Sequence, residues 1–73
     1  MYTYKIYLHK EVDGGYTVTV PALPGCITYG ENVDEAIAMA KEAVELYLEE
    51  MKSRNEEITD DSNTLEFSLN LSA

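Results

Sequence analysis

Seventy-three residues of 8.2 kDa leave room for one small domain spanning 1–73, with a thin stability margin that makes self-association or a partner reasonable. Hydrophobic residues form 45% of the chain, too many for a disordered segment. Fourteen acidic residues against five basic ones give a net charge of −9, a surface that repels nucleic-acid phosphate and anionic headgroups and suits a basic partner.

Tyr2, Tyr4, Ile6 and Leu8 alternate with Thr3, Lys5, Tyr7 and His9, the period of a strand with one apolar face. Asp13-Gly14-Gly15 is a turn, and Tyr16, Val18 and Val20 alternate with threonines in a second strand, so the two make a hairpin. Pro21-Ala22-Leu23-Pro24-Gly25 then ends the ladder, because proline lacks an N–H and fixes φ. A short third strand fits residues 26–29, before Gly30.

The helix that follows is the clearest element. Asn32 is a good N-cap, and Glu35, three residues on, can return a hydrogen bond to it. Val33, Ala36, Ile37, Ala40, Ala43, Val44, Tyr47, Leu48 and Met51 form one apolar stripe over about five turns, wide enough to cover a sheet. Met39 and Leu46 fall off that stripe and are candidates for an intermolecular contact. Residues 54–64 show no period. Leu65, Phe67, Leu69 and Leu71 alternate with polar residues as a last strand.

The order is therefore β-β-β-α-β, an α+β domain. Counting directions, the last strand runs parallel to the first and pairs beside it, giving a four-stranded mixed sheet of order 3-2-1-4 with one helix on one face. The other face, with Thr3, Lys5, Tyr7, His9, Thr17, Thr19, Glu66 and Ser68, is left to water, and Tyr7 is placed to anchor a partner there.

Chemistry-bearing residues are few. Cys26 is the sole cysteine, excluding an intrachain disulfide and a Cys-rich metal site, and a packing role suits it better than a nucleophile's. His9 has no orienting partner nameable from spacing, so a solvated histidine is the better reading. The glycine turns are too short and acidic for phosphate loops, and the six tyrosines lie mostly on core faces of an acidic chain rather than on a base-stacking platform. Glu42, Glu45, Glu49 and Glu50 share the outer side of the helix, where late carboxylates oppose the macrodipole and Glu45 repels Glu49. A solvated face is the commoner explanation; steering of a basic partner is the functional one.

Gly15-Tyr16, Val18, Val20-Pro21, Leu23-Pro24-Gly25-Cys26, Thr28 and Gly30, then Asn32, Glu35-Ala36, Ala40 and Ala43, together resemble the HicB antitoxin family of type II toxin–antitoxin systems. The likeness covers about residues 2–50. It implies a degraded ribonuclease H-like core and a role in neutralising a small basic HicA-type toxin that cleaves mRNA. Family members often carry a C-terminal helix-turn-helix or ribbon-helix-helix segment that binds the operator. This chain reaches Ala73 just after the expected last strand, with Arg54 its only arginine, so it reads as the core domain without that segment and operator binding is not expected of it alone. The expected first strand holds no Asp or Glu, so the fold analogy brings no nuclease site with it.

The expected protein is thus a non-enzymatic, cofactor-free, cytoplasmic antitoxin core that occludes a basic toxin, with Tyr7, Leu46, Glu42, Glu45 and Glu49 as partner-binding residues. It forms homo-oligomers, dimer or tetramer, and binds neither nucleic acid nor membrane. The alternative is a free-standing homo-oligomeric regulatory or scaffolding domain with no toxin.

Overall fold

The computed structural model describes residues 1–72. It is an α+β structure of three strands and one helix: β1 (Tyr7–Lys10), β2 (Tyr16–Thr19), β3 (Ile27–Gly30) and α1 (Val33–Ser53). The sheet is antiparallel, in the order β1-β2-β3.

Register sorts the side chains. Leu8 lies opposite Val18, and Val18 opposite Thr28, so these residues share the face that α1 covers. Tyr7, Thr19 and Ile27 form the neighbouring row, which points to the opposite face by the period of two. Val18, Ala36 and Ala40 are buried together, with Ile6, Leu8 and Tyr16 packed around them. Small side chains at 36 and 40 let the helix lie close to the sheet. Gly30 serves the same approach, since a Cβ there would sit 2.3 Å from the Ala36 backbone nitrogen.

The proline-rich connection is a second core piece rather than a surface loop. Leu23 N–H donates to the Val20 carbonyl at 2.9 Å and Cys26 N–H to the Leu23 carbonyl at 3.0 Å, making two successive turns. Gly25, at φ +81°, takes the position in the second turn that needs a left-handed residue, directly after Pro24. The two turns fold Leu23 inward, where it is buried with Val20 and Cys26 beneath Ala43, Val44, Tyr47, Leu48 and Met51. Tyr47 Oη donates to the Pro24 carbonyl at 2.8 Å, tying the helix to the turn.

Both helix ends are capped. Asn32 Oδ1 accepts the Glu35 N–H at 2.8 Å, while the Glu35 carboxylate accepts from Glu31 N–H at 2.9 Å, one residue before the expected return to Asn32. At the other end Asn55 adopts φ 58°, and the N–H groups of Asn55 and Glu56 return to the carbonyls of Lys52 and Met51.

Three expectations differ from the structure. The first strand begins at Tyr7 rather than Tyr2, because Pro21 ends β2 and leaves residues 2–6 without a strand to pair with. Those residues are held instead by the chain after the helix. Thr3 N–H donates to Asp60 Oδ2 and Lys5 N–H to Asp61 Oδ2, each at 2.8 Å, and Asp61 N–H donates to the Thr3 carbonyl at 2.7 Å. Tyr4 Oη donates to the Thr59 carbonyl at 2.6 Å. Second, residues 65–71 carry no strand, and Leu65, Phe67, Leu69 and Leu71 are 96, 85, 73 and 82% exposed. Their alternation marks a strand with an apolar face, and within this chain nothing covers it. Third, Tyr2, Val33 and Ile37 are exposed although the pattern places them on the core side. The helix packs over β2 and β3, so the side of its stripe nearest β1 overhangs open space.

Candidate functional site

Three surfaces carry residues whose exposure the fold does not explain. The first is the outer side of α1. Glu42, Glu45, Leu46, Glu49 and Glu50 are all exposed, and Leu46 shares a shallow depression with Glu49, Glu50 and Ser53. Met39 is also exposed, as its place off the stripe predicts. Arg54 alone pairs with any of the described acidic side chains, reaching Glu50 and Glu56. Those neighbours push its already high pKa further up, the Glu50 hydrogen bond most of all. Glu42, Glu45 and Glu49 thus present uncompensated charge to solvent.

The second surface is the sheet face away from the helix. Tyr7 stands there as expected, with His9, Thr17 and Thr19, but it is joined by Ile27 and Tyr29 from β3. The short apolar run of the third strand hid this pair, because too few residues alternate to reveal a face. Tyr29 Oη donates to the Gly14 carbonyl at 3.0 Å and lies where a Cβ on Gly15 would collide with it. Tyr7 and the glutamates are therefore not one site: they stand on opposite faces of the molecule.

The third surface is a groove between the start of the chain and the overhanging helix, about 330 Å³ in volume. Tyr2, Tyr4 and Ile6 line one wall; Ile37, Val44 and Leu48 line the other, with Lys41 and Glu45 at the rim. Asp60 and Asp61 anchor the chain beside it. The Thr3 backbone N–H, then the Ser62 hydroxyl and N–H, hold the Asp60 carboxyl below the usual range. Burial, then the charge of Asp60, raises the Tyr4 phenol.

Cys26 is buried, and burial pushes its thiol up, away from the reactive thiolate. Among the described residues no three of His, Cys, Asp and Glu come together to hold a metal ion. Pro21, Leu23, Pro24, Gly25, Cys26, Gly30, Asn32 and Glu35 all serve turns, core or helix cap. Among the described residues no helix is long and apolar enough to cross a membrane.

A three-stranded sheet thus lies under one capped helix, with an acidic helix face and exposed apolar residues. Residues 4–71 match the family described as the HicB-like antitoxin of the bacterial toxin–antitoxin system, and the chain belongs to that family. It is similar to a UPF0150 protein of Thermoplasma acidophilum, 46% identical over 59 residues that make up 81% of this chain and 86% of that one. A UPF0150 protein of Archaeoglobus fulgidus is 48% identical over 68% of this chain and 72% of its own. An uncharacterized 14.9 kDa protein of Haemophilus phage HP1 is 40% identical over 92% of this chain but only 49% of its own. No solved structure gave a significant match.

Proposed function

We propose that this chain is an antitoxin core that binds and occludes a small basic HicA-type toxin, acting in the cytoplasm, without enzymatic activity or cofactor, as a homo-oligomer. The observation that carries the reading is the family match across residues 4–71. The net charge of −9 supports it, because the exposed carboxylates of Glu42, Glu45 and Glu49 make no ion pair and are free to attract a cationic protein. Glu42, Glu45, Glu49 and Leu46 form the contact on the helix side, and Tyr7 serves a second contact on the sheet. Inhibition is steric: the toxin's RNA-binding surface is covered, and no bond is made or broken. In the functional assembly the sheet gains a fourth strand beside β1, giving the order 3-2-1-4 of a degraded ribonuclease H-like core within the single domain 1–73.

The test is to mix the chain with a HicA-type toxin encoded beside it and follow cleavage of a model mRNA. Stoichiometric relief of cleavage, with a complex seen by calorimetry, is expected. Unchanged cleavage and no heat of binding would leave the alternative, a homo-oligomeric regulatory domain that needs no toxin.

A further inference from the structure

The groove and the C-terminal segment are complementary, yet in one chain they stand apart. The groove runs along Tyr2, Tyr4 and Ile6 and leads to an edge of β1 that pairs with no strand, and its apolar walls are open. Residues 65–71 put four large apolar side chains on one face of a strand-like pattern and bury none of them. Extended, those seven residues span roughly 20 Å, longer than the roughly 13 Å between residues 2 and 6 of an extended chain, so the segment reaches past the groove onto the edge of β1. The same chain is poorly placed to fill its own groove. In either copy residues 60–61 take the N–H and carbonyl of Thr3 and the N–H of Lys5, so the backbone left to pair is that of Tyr7–Lys10, and within one chain a turn closed by Thr64 N–H to the Asp61 carbonyl at 2.9 Å comes between that anchor and residue 65.

We propose that residues 65–71 of one protomer dock as a strand in the groove of a second copy, alongside the edge of Tyr7–Lys10, and that the exchange is reciprocal. Area argues for a partner of this size. The chain exposes 5846 Å², whereas a compact protein of 8.2 kDa exposes about 4,500 Å². Its radius of gyration is 13.9 Å against about 11 Å expected for 73 residues. Removing that excess from two copies buries about 2,700 Å², within the range of permanent dimers. Charge argues for a second copy in particular. Residues 62–73 hold a single charged side chain, Glu66, in a chain of net charge −9, so this is the segment that approaches a like-charged copy with least repulsion. Lys41 at the groove rim favours that approach.

The inference deepens the homo-oligomer part of the reading above and needs no toxin, so the two fail separately. Light scattering of the full chain alone at about 50 µM is expected to give twice 8.2 kDa. The doubly substituted chain Phe67→Ser/Leu69→Ser, altered only where no side chain is packed, is expected to give the single mass with its helical circular dichroism intact. In a mixture of isotope-labelled and unlabelled full chains, filtered NOEs should connect Phe67 of one copy with Ile37 of the other. A monomeric full chain, a dimer that survives both substitutions, or NOEs between these residues only within one chain would overturn the proposal.

Discussion

Gly30 and Gly25 do different physical work, and their substitution separates the two effects. At Gly30 a methyl group would meet backbone atoms of Ala36 at 2.3 and 2.4 Å, so the helix must move off the sheet. At Gly25 nothing lies within 4 Å, and only the left-handed φ of +81° resists a side chain. Gly25→Ala is therefore expected to cost about 1 kcal/mol, and Gly30→Ala up to about 3 kcal/mol as overpacking of a core. In a domain this small, each kcal/mol lowers the melting temperature by about 4–8 °C, so thermal melts will rank the two variants clearly. Asp60 supplies a pH test at the same scale. Its folded carboxyl lies below the ordinary aspartate value, so the unfolded chain takes up the proton first. The stabilisation is complete above about pH 4 and is lost as pH falls through the depressed value. Melting temperature should thus drop more steeply with acid in the native chain than in Asp60→Asn, and the Thr3 amide should exchange faster as the carboxyl protonates. Equal slopes would mean that the anchor holds nothing.

Among the elements, α1 was the most legible, since a five-turn stripe with a cap at Asn32 has no competing reading. Its far end was legible as the loss of period from residue 54, and only the detail of the cap was not. The stop depends on Asn55 adopting φ 58°, which no period announces. The hairpin and the Pro-Gly turn were likewise written locally, in Gly14-Gly15 and Pro24-Gly25. Residues 2–6 and 65–71 carry strand periodicity but are not strands, because pairing is a property of neighbours and not of the segment. Tyr2 and Ile37 were misplaced for the same reason: each needs a cover that the three strands do not supply. The candidate site was legible as residue types on the helix face, and illegible where it depends on Ile27 and Tyr29. The helix also has its own experiment. Glu45→Gln with Glu49→Gln removes a like-charge i,i+4 pair from the end of the helix where negative charge is unfavourable. The doubly substituted chain should melt slightly higher while capturing toxin more slowly. A faster or unchanged association rate would remove the acidic face from the recognition.

At the scale of the whole molecule, charge and shape point to different partners. Capture of a cationic toxin through the helix face should slow as salt rises past the roughly 8 Å screening length of physiological strength, whereas apolar docking of the tail should hold or tighten. Measuring both against sodium chloride therefore assigns each interface to its physical origin. A further consequence lies in the Asp60–Asp61 anchor. The residues it holds, Thr3 and Lys5, leave the ribosome 57 and 56 residues before the groups that hold them. During synthesis Thr3 and Lys5 must wait, unsecured, for the arrival of what lies beyond the helix. A nascent chain of this protein thus stays open to neighbouring nascent chains on the same message until Asp60 and Asp61 emerge.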